Sequence, residues 1–186
     1  NYRYMGRFVE AITDHTRAIE LAPQRATAYL NRGLDYHDLQ QFEQALADYN
    51  RGLELDPHHA PLYANRGDVY LILKDYERAL TDLNRALELD PQYALVYRNR
   101  GVLHLALGNY TEALADCARA IQYDPTDPKS YLNRGSAYVH LERNQEALVD
   151  YTQAIQLEPG AAVNYHARGV AYYGLQQFAQ AIADFN

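Results

Sequence analysis

A short motif recurs five times in this chain at a constant spacing of 34 residues. Four copies read Tyr-X-Asn-Arg-Gly, and the fifth has alanine in place of the asparagine. The copies begin at Tyr29, Tyr63, Tyr97, Tyr131 and Tyr165. Prolines follow the same period at Pro23, Pro57, Pro91, Pro125 and Pro159. A fixed period in the range of about 20–50 residues indicates an array of stacked units without a single central core.

The glycine of each motif sets the unit boundaries. Counting from seven residues before it gives four complete units, 26–59, 60–93, 94–127 and 128–161. Residues 1–25 form a partial unit before them, and residues 162–186 form a partial unit after them. We predict one array over residues 1–186, and because both ends fall inside a unit we expect it to belong to a longer one. Positions 1–34 below are counted within these units.

Each unit carries two helical patterns. In unit 60–93 the first set of apolar residues has three- and four-residue spacings, which is typical of an amphipathic helix; it comprises Leu62, Tyr63, Val69, Tyr70 and Leu73. A second set follows after a short break and ends before Pro91, because proline disfavours helix in the preceding residue; it comprises Tyr76, Ala79, Leu80, Leu83, Ala86 and Leu87. The sequence therefore predicts an all-α fold, an α-α superhelical solenoid of about eleven helices.

Small and aromatic residues predict how the two helices of a unit meet. The glycine at position 8 lies inside the first helix, where glycine costs roughly 0.5–1 kcal/mol relative to alanine, so a packing reason is expected. We predict that its partner is the alanine twelve residues later, as with Gly67 and Ala79. Fourteen of the 18 tyrosines occupy repeated positions, Tyr2 among them, and we interpret them as inter-helix packing residues.

An arginine and an aspartate also recur with the 34-residue period. An arginine stands at position 7, and an aspartate follows it sixteen residues later, as with Arg66 and Asp82. We predict an ion pair across the helix hairpin or to the next unit, because a half-buried arginine needs a partner. The alternative is that both side chains are solvated surface charges.

The repeated positions resemble the tetratricopeptide repeat (TPR) family over the whole chain. The family pattern has an aromatic residue at position 4, Gly at 8, Tyr at 11, Ala at 20, an aromatic at 24, Ala at 27 and Pro at 32. This chain has Tyr at 4, Gly at 8, Ala at 20 and Pro at 32 throughout its complete units. It departs at position 7, where the family has Leu and this chain has Arg, and locally at His104, Cys117 and Asn144.

The resemblance implies a binding role, with the first helix of each unit lining a concave groove through positions 2, 5, 6, 9, 12 and 13. Position 6 holds asparagine in four units, and an amide both donates and accepts hydrogen bonds, as a peptide backbone does. Helices pack about 8–10 Å apart and an extended chain advances about 3.3–3.6 Å per residue, so each asparagine would meet every third ligand residue. The candidate peptide-binding residues are Asn31, Asn65, Asn99, Asn133, Leu30, Asp68, Arg98, Lys129, Leu132 and His166.

We therefore predict an interaction scaffold that binds a peptide or protein segment. One alternative is that the asparagines bond only within the groove or to water. Another is a structural spacer that associates end to end with itself, or the repeat region of a larger enzyme or assembly factor. The basic clamp that some TPR proteins use for acidic chaperone tails is missing, because positions 5 and 9 lack its Lys and Asn.

Composition and charge argue against several other classes of function. The net charge is −7 with scattered cations, which argues against nucleic acid, and no apolar run is long enough to span a membrane. A single cysteine, Cys117, favours a reducing compartment, with the cytoplasm preferred, and its position predicts a buried structural thiol. The His58-His59 pair lacks further ligands at suitable spacing. We expect no catalytic site, no metal and no cofactor.

Overall fold

The computed structural model describes residues 7–186, and over this range it consists of eleven α-helices with no strand. The helices are α1 (Phe8–Leu21), α2 (Ala26–Asp38), α3 (Phe42–Leu55), α4 (Ala60–Ile72), α5 (Tyr76–Leu89), α6 (Ala94–Ala106), α7 (Tyr110–Tyr123), α8 (Pro128–His140), α9 (Asn144–Leu157), α10 (Ala162–Gly174) and α11 (Phe178–Phe185). The all-α fold and the expected number of helices are confirmed. Tyr2 lies outside the described residues.

The chain divides into two compact bodies, one ending at Pro91 and the other running from Gln92 to Asn186. We call these bodies the first and second units, and we call the 34-residue stretches repeats. The first unit holds the hairpins α2–α3 and α4–α5, preceded by α1. The second holds the hairpins α6–α7, α8–α9 and α10–α11. Within a hairpin we call the first helix A and the second helix B, and α1 is a B helix by its position in the repeat. That the two units form one array remains a prediction.

The turn between helices A and B is a Schellman motif in every hairpin. In the first hairpin the Gln41 N–H donates to the Tyr36 carbonyl and the Gln40 N–H donates to the His37 carbonyl. The residue at position 15 takes the left-handed conformation that this motif requires, with φ between 58° and 75°. Glycine fills this position only in the third hairpin, at Gly108. In the other four hairpins a glutamine, lysine or glutamate takes this conformation.

The repeated glycine packs against a different residue from the predicted one. A Cβ atom added to Gly33 would lie 2.5 Å from Cε1 of Tyr49, and one added to Gly135 would lie 2.5 Å from Cε1 of Tyr151. In all five hairpins the closest side chain is that of position 24, sixteen residues after the glycine. The prediction that the alanine at position 20 is the direct partner was wrong, because a large side chain from helix B fills the space. That alanine is nevertheless buried, with Ala45 and Ala79 fully inaccessible.

Each compact unit has its own apolar core between the hairpins. In the first unit Tyr49 and Leu53 of α3 pack with Leu62 and Val69 of α4. In the second unit Ala147 and Tyr151 of α9 pack with Ala171 of α10. Within each unit, helix A of one hairpin therefore packs on helix B of the hairpin before it. The predicted groove residues are at positions 2, 5, 6, 9, 12 and 13 of the A helices. We call these positions the groove face.

Candidate functional site

The asparagines at position 6 are in four different environments. Asn31 on α2 is exposed, and Asn133 on α8 is half-buried. Asn65 on α4 is half-buried and its amide donates to the carbonyl of Pro61, 2.7 Å away in the same helix. Asn99 on α6 is only 6% exposed. The equal spacing in the sequence therefore does not give equal availability to a ligand.

The burial of Asn99 goes with a tie between α6 and α8. The Arg98 guanidinium donates to Asn99 Oδ1 at 3.4 Å and to Asp127 Oδ2 at 3.3 Å. Asp127 is the N-cap of α8, where its other oxygen accepts from the Lys129 backbone N–H. Arg98, a predicted groove residue, thus holds the start of the next A helix, while the Lys129 side chain is exposed.

Some of the other predicted groove residues pack within the fold, and others are exposed. Leu30 and Leu132 are half-buried and pack against the cores of their own units. Asp68 accepts a hydrogen bond from His37 at 3.1 Å, across the α2–α4 contact. His166 on α10 is exposed, with its ring centroid 5.3 Å from that of Phe185. Within the second unit, exposed Lys129, half-buried Asn133 and exposed His166 lie on the groove faces of α8 and α10.

The arginine at position 7 forms the predicted ion pair inside its own hairpin. In all five hairpins Nε and Nη2 of the arginine donate to the two carboxylate oxygens of the aspartate at 2.7–2.8 Å. The aspartate side chains are only 3–8% exposed and the arginine side chains 20–24%. The hydrogen bonds that these guanidinium groups donate to the aspartates raise the pKa of the arginines further. The alternative of solvated surface charges is therefore wrong.

The same arginine also contacts two other repeated positions. Nη1 of Arg66 donates to Asn50 of the preceding B helix at 2.7 Å, and Nη1 of Arg32 donates to Thr16, at the corresponding position, at 3.2 Å. The Arg66 guanidinium carbon lies 5.6 Å from the ring centroid of Tyr63, within cation–π range. Arginine at position 7 thus takes over a packing role in the hairpin.

The tyrosine at position 4 connects one repeat with the next. The hydroxyl groups of Tyr29 and Tyr63 donate to the carbonyls of Pro23 and Pro57, six residues earlier, at 3.2 and 3.3 Å. The Tyr131 hydroxyl does the same with Pro125 at 3.2 Å. Phenylalanine could not make this bond, so the chemistry of the turn explains why tyrosine recurs here.

Two histidine contacts were missed by the sequence reasoning. His15 Nδ1 of α1 lies 2.6 Å from Oδ2 of Asp35, a fully buried aspartate on α2. The sequence contained a sign of this contact. Asp35 is at position 10, where the later repeats have the apolar residues Val69, Leu103 and two alanines. His140 of α8 stacks on Tyr110 of α7 with ring centroids 4.4 Å apart. A charged residue at an otherwise apolar repeat position is the feature that reveals such a pair.

The single thiol and the possible metal ligands can be judged over the described part of the chain. Cys117 is fully buried, as predicted, and burial raises the pKa of its thiol to about 12. Over residues 7–186 no three His, Cys, Asp or Glu side chains are grouped so that they could hold a metal ion. Over the same range no helix is long and apolar enough to cross a membrane.

Comparison with known proteins agrees with the helical hairpins. Models described as tetratricopeptide repeat match residues 26–59, 94–127 and 128–160, and a second such model matches residues 48–81. A model described as TPR repeat matches residues 67–108. A search of curated protein sequences returns no significant match.

Three solved structures illustrate the similarity in fold. PilW, described as a type IV pilus biogenesis factor, superposes with a TM-score of 0.89 at 18% identity, over 98% of this chain and 85% of PilW. MamA from Desulfovibrio magneticus RS-1 gives a TM-score of 0.75 at 21% identity, over 86% and 90% of the two chains. YrrB, described as a TPR protein with an unusual peptide-binding site, gives 0.71 at 25% identity, over 91% and 88%. With its matched repeats, helical hairpins and shared repeat positions, the chain belongs to the tetratricopeptide repeat family.

Proposed function

We propose that this chain is a protein-interaction scaffold that binds an extended peptide or protein segment on the groove faces of its A helices. The observation that carries the proposal is that the tyrosine and arginine of the repeated motif make contacts that hold the fold, and the asparagine does not share those contacts. Tyr63 and Arg66 make fold contacts with the turn and with helix B, whereas the Asn65 amide donates to the Pro61 carbonyl of its own helix. The solved structure of YrrB supports a peptide ligand, since its description names a peptide-binding site.

In the first unit the binding pair is Asn31 and Asn65. Asn31 is exposed, so its amide has both hydrogens and its oxygen to offer to a peptide unit. The Asn65 amide uses one hydrogen on the Pro61 carbonyl, which orients its oxygen as an acceptor. A strand that crosses two helices about 8–10 Å apart would meet these amides at every third residue.

In the second unit the proposed set is Lys129, Asn133 and His166. Asn99 is buried and is not one of the proposed binding residues. Arg98 contributes to the site by holding Asp127 at the start of α8. Asn133 provides the backbone contact, and Lys129 and His166 provide positive or polar contacts beside it. An acidic residue of the ligand fits this second-unit set best, whereas Asp38 and Asp68 make the groove face of the first unit acidic.

The test begins with selection of binding peptides from a random display library, followed by calorimetry on the selected peptide. Asn31→Ala and Asn133→Ala should each weaken binding by about 2- to 12-fold, because a net hydrogen bond is worth about 0.5–1.5 kcal/mol. Alanine occurs naturally at this position, at Ala167, so the variants should fold. Gln145→Ala, on the exposed outer face of α9, is the matched control and should leave affinity unchanged. Equal affinities for all three variants would contradict the proposal.

The second candidate is a structural array that stacks on copies of itself. It is supported by the apolar side chains that α10 and α11 leave at the surface, since Tyr173, Phe178 and Ile182 are 64%, 51% and 60% exposed. Light scattering over a range of concentrations separates the two roles. Growth in mass that Ile182→Lys abolishes supports stacking, whereas a constant monomer mass with peptide binding supports the groove.

A further inference from the structure

One polar contact joins the groove faces of two neighbouring A helices. His37, at position 12 of α2, has its Nε2 atom 3.1 Å from Oδ2 of Asp68, at position 9 of α4. Both side chains are partly buried, at 22% and 30% exposure. The His37 ring is also held edge-on by Phe42 of α3, with ring centroids 5.9 Å apart. The imidazole is therefore fixed in place between helices of consecutive hairpins.

The second unit has no counterpart of this contact at the same positions. Where α8 meets α10, positions 12 and 9 are occupied by Val139 and Val170. Where α6 meets α8, they are occupied by Leu105 and Ser136. The repeat architecture thus needs no polar pair here, and its presence between α2 and α4 is specific to the first unit.

The charges around His37 all favour its protonated form. Asp68 on α4 acts most strongly through its hydrogen bond, and Asp38 on α2 adds a second negative charge, 3.8 Å from Nδ1. Helix α3 presents the uncharged Phe42 ring, and none of the charges that act on His37 comes from α1. Partial burial opposes protonation, but the net effect is a raised pKa of His37.

We propose that the His37–Asp68 contact is a proton-dependent tie between α2 and α4, strong when the imidazole is charged and weak when it is neutral. Because the folded protein binds this proton more tightly than the unfolded chain, the tie stabilises the fold fully below the ordinary histidine pKa of about 6.5. Its contribution falls as the pH rises through the raised pKa of the folded state. The packing of the two A helices is therefore tightest in mildly acidic solution.

The consequence for ligands rests on the proposed function, whereas the tie itself does not. Asn31 and Asn65 lie on the same two helices, so a ligand that bridges them would sense the change in packing. Experiments on the free protein therefore test the tie even if no peptide is found.

The first experiment is an NMR titration of the His37 imidazole in the wild type and in Asp68→Asn. The titration midpoint should be lower in the variant, because the acceptor carboxylate has lost its charge. A midpoint that stays the same or rises would overturn the inference.

The second experiment measures amide hydrogen exchange at pH 6 and pH 8, corrected for intrinsic rates. Protection of α4 amides in the wild type should fall by about two- to fivefold at pH 8, the range expected for a partly exposed ion pair. The α4 amides are used because α2 also carries Asp35, which contacts His15. The double variant His37→Val/Asp68→Val copies the residues at Val139 and Val170 and should lose this pH dependence while keeping the fold. Amides of α8 serve as the internal reference. The same pH dependence in wild type and double variant would contradict the tie.

Discussion

Removal of the Asp82 carboxylate tests how strongly the repeated ion pair stabilises a hairpin. In the structure Nε and Nη2 of Arg66 both donate to Asp82 at 2.7 Å, and the aspartate side chain is 5% exposed. Asp82→Ala leaves the guanidinium with Asn50 and the face of Tyr63 as its contacts. The arginine is then partly desolvated without a counter-charge.

The expected cost follows from this geometry. Breaking a buried pair by removing one partner costs about 3–5 kcal/mol when both charges are fully buried. The Arg66 side chain is 20% exposed and can turn toward water, so we expect about 2–4 kcal/mol for Asp82→Ala. Arg66→Leu restores the residue that other TPR repeats have at this position, and it should cost less than Asp82→Ala. The double variant should recover part of the loss, with a coupling energy of about 1.5–3 kcal/mol.

The assay is a double-mutant cycle on local stability, measured by hydrogen exchange of the α4–α5 amides, because repeat arrays do not always unfold in two states. The Arg85–Glu88 pair on the surface of α5 is the matched control. Its side chains are 39% and 64% exposed, so solvent screening should leave almost no coupling between them. A coupling between Arg66 and Asp82 no larger than that of the control would refute the reasoning.

Two further predictions concern packing. Gly135→Ala should destabilise the α8–α9 hairpin by about 1–3 kcal/mol, because the new methyl group would lie 2.5 Å from the Tyr151 ring, whereas Gly160→Ala, with no neighbouring atom within 4 Å, should change the unfolding midpoint little. Equal urea midpoints for the two variants would contradict the close approach of the helices. The Cys117 thiol should resist a thiol reagent at pH 8, since burial raises its pKa to about 12, and should react at once in denaturant. Rapid labelling of the native protein would show that the site is open.

The fold was predictable because each element of it leaves a mark at a fixed period. Gly67 and Pro91 recur with their counterparts every 34 residues, so the helices and the ends of the hairpins follow from the sequence. The Arg66–Asp82 pair was predictable for the same reason, since two charges in constant register imply a constant distance. The direct partner of the glycine was not, because position 24 changes from tyrosine to leucine, cysteine and phenylalanine. Side chains of different types can fill the space beside the glycine. The partner therefore cannot be found by looking for one residue type that recurs in every repeat.

The candidate site was less predictable because it depends on residues that break the repeat. Asn31 and Asn99 occupy the same position, yet one is exposed and the other is held by Arg98 and buried. Arg98 is at position 5 of α6, where the other A helices have leucine, alanine or histidine. The His37–Asp68 tie is also confined to one pair of hairpins. Periodicity reveals the common architecture, whereas differences between the repeats decide which position-6 asparagines are exposed.

The most direct test of the proposed function is NMR mapping of side-chain amides during titration with the selected peptide. The largest shifts are expected at Asn31, Asn65 and Asn133, on the groove faces. The amides of Gln145 and Gln153, on the outer face of α9, should remain unchanged. Shifts at the two glutamines with none at the three asparagines would contradict binding on the groove faces.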